Sequence, residues 1–304
     1  RVKGMGFLQH KGTNLFNARV ITRNGRITTE EASVIAEAAR LYGDGHMMMT
    51  TRLTIEVSGI AYHDIDAFCA HLAKAGLSVG GTGSKVRPVV SCKATTCQYG
   101  LYDAYALSDE IHTRFYQGYR GVSLPHKFKI ATGGCPNNCV KPTLNDLGIV
   151  GARVPQYHIE DCRSCKKCQL EEDCPIHAAK KNADGKLEID AELCNHCGRC
   201  IGKCPFHCND EGVDGYKVYV GGRWGKKIAH GQMLHKIFMD QNEVLDTVEK
   251  AILLFRSAGE SGERFADTIN RIGFANAEKI LLSDELLQKK AEILGLDVVG
   301  GATC

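Results

Sequence analysis

The pattern of hydrophobic and polar positions follows two different periods along the chain. NARVIT (17–22) and HMMMTTRLTIEV (46–57) are rich in β-branched residues at a period of two, so each predicts a strand. Between them Thr28 and Glu31 have capping-box spacing, and this box opens a helix that Gly43 ends. DIDAFCAHLAKAG (64–76) predicts a second helix. Residues 1–80 therefore predict a unit of alternating strands and helices.

The rest of the chain mixes the same two periods. A helix is predicted over 102–117, an extended segment over 124–135 and a strand over 215–222. Two further helical patterns cover 243–259 and 283–295. This mixture predicts an α+β fold. No apolar run approaches the roughly 18 residues that a bilayer span requires.

Composition narrows the functional classes. The net charge of +3 over 304 residues is too small to indicate nucleic acid as the main partner, although a basic patch for a small anion remains compatible with it. Fifteen cysteines are far more than average, and most fall in C-x-x-C groups that are typical of metal ligands. Such thiols indicate a reducing compartment, so we expect a cytoplasmic protein.

Two cysteine runs carry the strongest signal. Each has three cysteines in C-x2-C-x2-C spacing and a fourth before a proline, which is the bacterial ferredoxin pattern. Because the fourth cysteine of each run ligates the other cluster, the pattern predicts two [4Fe–4S] clusters. Cluster I takes Cys162, Cys165, Cys168 and Cys204, and cluster II takes Cys174, Cys194, Cys197 and Cys200. Structural zinc is the alternative for such pairs; the eight-cysteine pattern favours iron. We expect Cys208 to be a small buried residue, Cys69 to pack in the core, and Cys304 to ligate nothing.

Four other cysteines, spaced unlike a ferredoxin, lie upstream at Cys92, Cys97, Cys135 and Cys139. Their arrangement, two on one loop and two on a later C-x-x-x-C loop, resembles the sirohaem and [4Fe–4S] site of the sulfite and nitrite reductases. The resemblance implies a third cubane, with Cys139 as the thiolate that bridges it to the sirohaem iron. Four residues separate Cys92 from Cys97 where the family usually has five, so the loop must be tighter.

Neighbouring segments extend this resemblance. By it, MMTTRLTIEV presents a substrate-facing Arg52 on a strand, VRPVVSC presents Arg87, and LPHKFKIATGGC presents Lys127 and Lys129. Residues 127 and 129 share one face of an extended chain. A solvent face is the ordinary reading of such a lysine pair, and the nearby GGCPNNC motif favours the site. His126 is predicted on the opposite face, as a group that can donate a proton near neutral pH.

Sirohaem carries many carboxylates and requires a basic pocket. The candidates are Arg19, Arg23, Arg26, Lys141, Arg223, Lys226 and Lys227. Asn24-Gly25 is a hairpin-turn signal, so the arginines beside it are equally well explained as turn charges.

The resemblance, closest to the catalytic chain of anaerobic sulfite reductases and their dissimilatory relatives, implies a complete architecture. Residues 1–80 form a ferredoxin-like reductase lobe, 81–155 with 209–304 form the sirohaem and cluster lobe, and 156–208 form an inserted two-cluster ferredoxin. It implies reduction of sulfite to sulfide, with nitrite reduction and a non-catalytic electron-transfer subunit as alternatives. No NAD fingerprint or flavin motif is visible, so we expect a partner, either ferredoxin or flavin and iron–sulfur subunits, to supply electrons. A homo- or hetero-oligomer is expected because larger family members build each site from two related halves.

Overall fold

A computed structural model of the protein describes residues 2–301. Its N-terminal unit is a four-stranded antiparallel sheet of order β1-β2-β4-β3. The strands are β1 (Phe7–Gln9), β2 (Leu15–Val20), β3 (Met47–Met49) and β4 (Ile55–Ala61). Helices α1 (Thr29–Tyr42) and α2 (Ile65–Ala73) contribute Ile35 and Phe68 to a core shared with the inward side chains of the strands.

The start of helix α1 in the structure is the one that the sequence predicts. Thr28 accepts from the backbone N–H of Glu31, and the Glu31 carboxylate accepts from that of Thr28, so the capping box is complete. The single strand over 46–57 is wrong. Thr50 and Thr54 close a tight reversal through their hydroxyls, and Leu53 has φ 58°, so the segment is the hairpin β3–β4. Arg52 therefore lies in the turn.

The second unit contains a five-stranded sheet. Its first strands are β5 (Val90–Ser91), β6 (Ile130–Gly133) and β7 (Leu147–Gln156), which are parallel neighbours in that order. Helix α3 (Ala104–Ile111) continues into a π-helical turn over His112–Gln117. Because β5, β6 and β7 run parallel, the residues that follow β5 and β6 meet at one edge of the sheet.

Residues after β7 form a small loop-rich unit. It contains α4 (Gln169–Asp173) and the hairpin of β8 (Ala179–Lys181) and β9 (Leu187–Ile189). Its apolar core consists of three buried residues, Leu170, Ala179 and Leu187, with cysteines packed around them. So small a core gives little stability by itself, which is typical of domains held together by metal clusters.

The chain then returns to the sheet with β10 (Glu211–Val220) and β11 (Gln232–Phe238), which gives the order β11-β10-β7-β6-β5. Five helices follow: α5 (Gln241–Ala258), α6 (Phe265–Ile272), α7 (Phe274–Leu282), α8 (Glu285–Gln288) and α9 (Lys290–Gly295). Helix α5 packs on the sheet with eleven buried residues. The sequence patterns predict α5 and the α8–α9 region, and miss α6 and α7. Single 3-10 turns occur at Val2–Met5, Tyr62–Asp64, Ala94–Thr96, Pro142–Leu144 and Ile159–Asp161.

Candidate cluster and anion site

The CPNNC loop begins where β6 ends, beside the loop that follows β5. Val90 pairs with Ala131 in parallel register, so Cys92 and Cys135 leave neighbouring strands at the same edge. The backbone N–H of Gly134 donates to Cys92 Sγ over 3.1 Å. A Cβ at position 134 would lie 1.9 Å from that of Ala94, so only glycine permits this approach.

The four upstream thiols form one group, here the CPNNC group: Cys92, Cys97, Cys135 and Cys139. Burial raises the pKa of Cys135, and the neighbouring thiols Cys92, Cys139 and Cys97 raise it further. Cys139 is the exposed member. As thiolates these groups would repel one another, so they are suited to a cationic iron–sulfur core, which displaces their protons and compensates their negative charges.

The ferredoxin cysteines separate into two groups in space. Cys162, Cys165, Cys168 and Cys204 line one cavity of about 310 Å³. In the second group, Cys197 and Cys174 raise the pKa of Cys194 beyond the effect of burial, and Cys194 and Cys197 do the same for Cys200. These neighbourhoods match the two ligand sets expected from the sequence, and the assignment to clusters stays a prediction.

Three cysteines are outside these groups. Cys208 is buried with its thiol 3.1 Å from Cys204 Sγ, and Cys69 packs against the N-terminal core. Cys304 is outside the described residues. Within residues 2–301 no three His, Cys, Asp or Glu side chains are gathered as closely as a single metal ion requires. A cubane needs a wider arrangement, because each thiolate bonds to a different iron.

Cationic side chains converge at the opposite ends of β5 and β6. Arg52 donates to the carbonyl oxygens of Pro88 and Ile130 and, over 3.0 Å, to Asn145 Oδ1. Burial and the charge of Arg87 lower the pKa of Arg52 to about 9. These fixed contacts hold the guanidinium in one place beside the sheet.

Arg87 and Lys129 belong to the same cationic cluster. Arg87 is 5% exposed and donates to the carbonyl oxygens of Gly81 and Gly83. Burial, together with the charges of Arg19 and Arg264, lowers its pKa to about 10. Burial and the charges of Arg52 and Arg264 lower the pKa of Lys129 to about 8. Groups whose pKa values fall this way are short of negative charge and favour an anion.

A buried ion pair, which the sequence did not reveal, organises this cluster. Asp146 is fully buried, and both its oxygens accept from Arg264 Nη2, over 3.0 and 2.9 Å. Asp146 also accepts the backbone N–H of Lys129 over 2.9 Å. Burial raises the pKa of Asp146, while Arg264 and that N–H favour the carboxylate. Arg264 precedes α6 in a segment without a recognisable motif, so only the fold brings it here.

The cluster retains unused donors. The Nε–H groups of Arg87, Arg223 and Arg264 are buried and have no hydrogen-bond partner among residues 2–301. Buried donors of this kind are costly unless a ligand accepts from them. The cationic cluster therefore fits a ligand that carries several carboxylate or oxyanion oxygens.

The sequence-predicted pocket residues have different surroundings. Arg19 pairs with Glu56 yet also donates to Gly81 O, the carbonyl shared with Arg87, and Arg223 pairs with Asp267 and lies near His126. Arg23 and Arg26 pair with Glu31 and Asp109, as turn charges do. The three lysines that the sequence predicted for the pocket, Lys141, Lys226 and Lys227, are exposed.

His126 differs from its prediction. The charges that act on it are those of Lys127, Arg264, Arg87 and Arg223. Burial and those charges lower its pKa to about 4, which leaves the ring neutral at neutral pH. Its Nδ1 accepts the backbone N–H of Lys127, so its proton is on Nε2.

The thiols and the cations are at opposite ends of β6. Six residue steps separate Lys129 from Cys135, roughly 20 Å in extended chain. The turn over Pro142–Leu144 crosses back between them. At its end Asn145 donates to Lys141 O over 3.0 Å and accepts from Arg52, so hydrogen bonds link the segment just after Cys139 to the cations.

Comparisons with known proteins identify the family of this chain. Residues 82–290 match the family described as "Nitrite and sulphite reductase 4Fe-4S domain", and residues 7–75 match "Nitrite/Sulfite reductase ferredoxin-like half domain". A coenzyme F420-dependent sulfite reductase of Methanocaldococcus jannaschii is 31% identical over 86% of this chain, and the chain spans 40% of its length. One subunit of the anaerobic sulfite reductase of Salmonella typhimurium is 28% identical over 80% of this chain and 73% of its own.

A solved structure of dissimilatory sulfite reductase I has the same fold. The TM-score is 0.69 at 21% identity, over 88% of this chain and 69% of that one. No helix among residues 2–301 has the length and apolar character needed to cross a membrane. The α+β fold expected from the sequence is confirmed, and the chain belongs to the nitrite and sulphite reductase family.

Proposed function

We propose that the protein reduces sulfite to sulfide, using sirohaem and three [4Fe–4S] clusters. The observation that carries the proposal is the surplus of buried cations, with three unused guanidinium N–H groups, linked through Asn145 to a group of four cysteines. A non-catalytic electron carrier has no need for such a buried anion site. The family comprises nitrite and sulphite reductases, so nitrite is the alternative substrate.

The cysteines would hold the redox groups. The CPNNC group would bind one cubane, with the exposed Cys139 shared with the sirohaem iron, and the two ferredoxin groups would bind the others. When bound, these groups would relay electrons one at a time from the donor protein, which has to provide all six that the reaction consumes.

The cations would bind and orient the substrate. Arginine offers oxygen a fixed fork of donors, and lysine offers a charge together with a proton that it can transfer. Arg52 and Arg87 are held by carbonyl groups, so they would keep the oxyanion in place while its S–O bonds break. Lys127 and Lys129 would supply protons, which suits Lys129 because its pKa of about 8 is close to neutral pH.

The cations that face a macrocycle on Cys139 would come either from the same chain, in which Asn145 connects Arg52 to Lys141 O, or from a partner chain. Mixing two variants distinguishes these arrangements. C139S and K129M, each inactive alone, regain part of the activity when mixed if the site is shared. They stay inactive if each site is built within one chain.

Electrons would enter through the ferredoxin unit. Lys166, Lys167 and Lys180 are exposed there and would steer an acidic donor protein. Lys181 is different: its Nζ donates to the carbonyl oxygens of Cys165 and Lys166 and braces the cysteine loop.

The test uses anaerobically purified protein. We expect haem absorption bands, about twelve cubane irons and one haem iron per chain, and turnover of sulfite to sulfide with a reduced dye. R87M and K129M should lose most of this turnover, while the exposed residues changed in R40M and K279M should not matter. If the protein contains all its clusters but shows no haem bands, the proposed enzymatic function is refuted. If nitrite is turned over faster than sulfite, nitrite is the substrate.

A further inference from the structure

The two ferredoxin groups are not equivalent in position. The loop of the second group packs on the edge of the main sheet, where the backbone N–H of Arg153 donates to His196 O over 2.8 Å. Cys197 of this loop and Cys135 of the CPNNC group line the same cavity, of about 390 Å³. The second group, formed by Cys174, Cys194, Cys197 and Cys200, is therefore the inner one.

A buried lysine stands directly behind this inner group. Lys217, in the middle of β10, is only 4% exposed, and its Nζ lies 2.6 Å from the backbone oxygen of Asn195. Burial lowers the pKa of Lys217, and the neighbouring Cys194 and Cys197 oppose this effect when they are thiolates, as they are when they bind iron. No carboxylate in the described part of the chain forms an ion pair with Lys217.

Such an ammonium group needs a negative partner. Burying an unpaired charge costs several kcal/mol in proteins, and the sheet provides only a carbonyl oxygen for the charge of Lys217. A cubane bound by four thiolates has a net negative charge in both oxidation states, and each reduction adds one more. A fixed cation against the cysteine loop compensates the added electron, in a region where little water screens the interaction.

We propose that Lys217 is the built-in counter-charge of the inner cluster and holds its reduction potential above the value that the four cysteines alone would give. The inference rests on the proposed function, since it requires a cubane on Cys174, Cys194, Cys197 and Cys200. Lys217 is a positioning residue that acts on the cluster by its charge, without touching substrate. Its effect is to keep electrons on the cluster next to the CPNNC group.

The experiment compares reduction potentials of the iron–sulfur clusters by EPR-monitored titration of the complete protein. K217M and K217Q should lower the midpoint potential of one cluster, and K217R should restore it. The affected signal is assigned with C197S, which removes a ligand of the inner cluster alone. K203M is the control, because Lys203 is exposed beside Cys204 and water screens its charge.

The outcomes separate the role of Lys217 from the proposed function of the whole protein. Unchanged potentials in K217M and K217Q, or an equal fall in K217R and K203M, would overturn the role of Lys217. Loss of the inner cluster in K217Q with retention in K217R supports the counter-charge, whereas loss in both shows a packing role and overturns it. Wild-type protein without iron and labile sulfide would instead refute the proposed function.

Discussion

Replacing Asp146 with asparagine removes the one carboxylate that is buried within the cationic cluster while keeping the shape of the side chain. The carboxylate accepts two contacts from Arg264 and one from the N–H of Lys129, at 2.9–3.0 Å. Asparagine keeps one oxygen as an acceptor, but its amide NH2 replaces the other oxygen and faces an N–H donor of Arg264 or Lys129. Arg264 is then a buried cation without its partner.

The expected cost follows from this geometry. Breaking a buried ion pair by removing one partner costs about 3–5 kcal/mol. At about 2 °C per kcal/mol for a chain of this size, the midpoint of thermal unfolding should fall by about 6–10 °C. R264M should cost less, about 1–3 kcal/mol, because Lys129 and Arg52 still surround the remaining carboxylate.

The assay is thermal unfolding at a fixed scan rate, with and without sulfate. D146N has the larger surplus of positive charge, so sulfate should raise its midpoint more than that of wild type. A larger loss for R264M than for D146N would refute the reasoning, as would equal effects of sulfate on D146N and wild type. Either result would mean that packing, rather than charge, decides the stability of this site.

Three further predictions concern the site. The affinity for nitrite, used as a probe of constant charge, should weaken as the pH rises through about 8, because Lys129 then loses its proton. K129M should bind nitrite weakly at every pH, without a change of affinity near pH 8. If the affinity of K129M still changes near pH 8, a group other than Lys129 causes the change. G134A should prevent assembly of the CPNNC cluster, because its methyl group would meet Ala94 at 1.9 Å; iron analysis should find about four irons fewer, and a full complement would contradict the contact. C139S should keep the ferredoxin EPR signals and lose the haem bands, so haem bands of normal intensity would show that Cys139 does not hold the macrocycle.

Much of the site was predictable because its signals are local. Cysteine spacing depends on neighbouring residues, and cysteines of each predicted set are neighbours in the structure, while their assignment to clusters stays a prediction. Thr28 and Glu31 encode the start of α1 in the same local way. Alternation around the buried Phe128 leaves Lys127 and Lys129 half-buried on the other side.

The features that the sequence did not predict depend on residues that are distant in the chain or on uncommon backbone conformations. The turn at Arg52 requires φ 58° at Leu53, a residue that rarely signals a reversal, so the two strands read as one. Arg264 meets Asp146 from 118 residues away, and no sequence period records such a contact. Lys217 reads as the polar residue of an alternating strand, yet the inner cysteine loop covers it. Buried charges of this kind are visible only when the elements are assembled.

The central claim is that Cys139 joins a cubane to a tetrapyrrole iron within reach of the Arg52, Arg87, Lys127 and Lys129 cations of a chain. An anomalous diffraction map at the iron edge, from anaerobically grown crystals of the complete protein, tests it directly. The account predicts three compact four-iron peaks per chain and one isolated iron beside the sulfur of Cys139, facing those four side chains of the partner or of the same chain. An isolated iron elsewhere, or none, would contradict it.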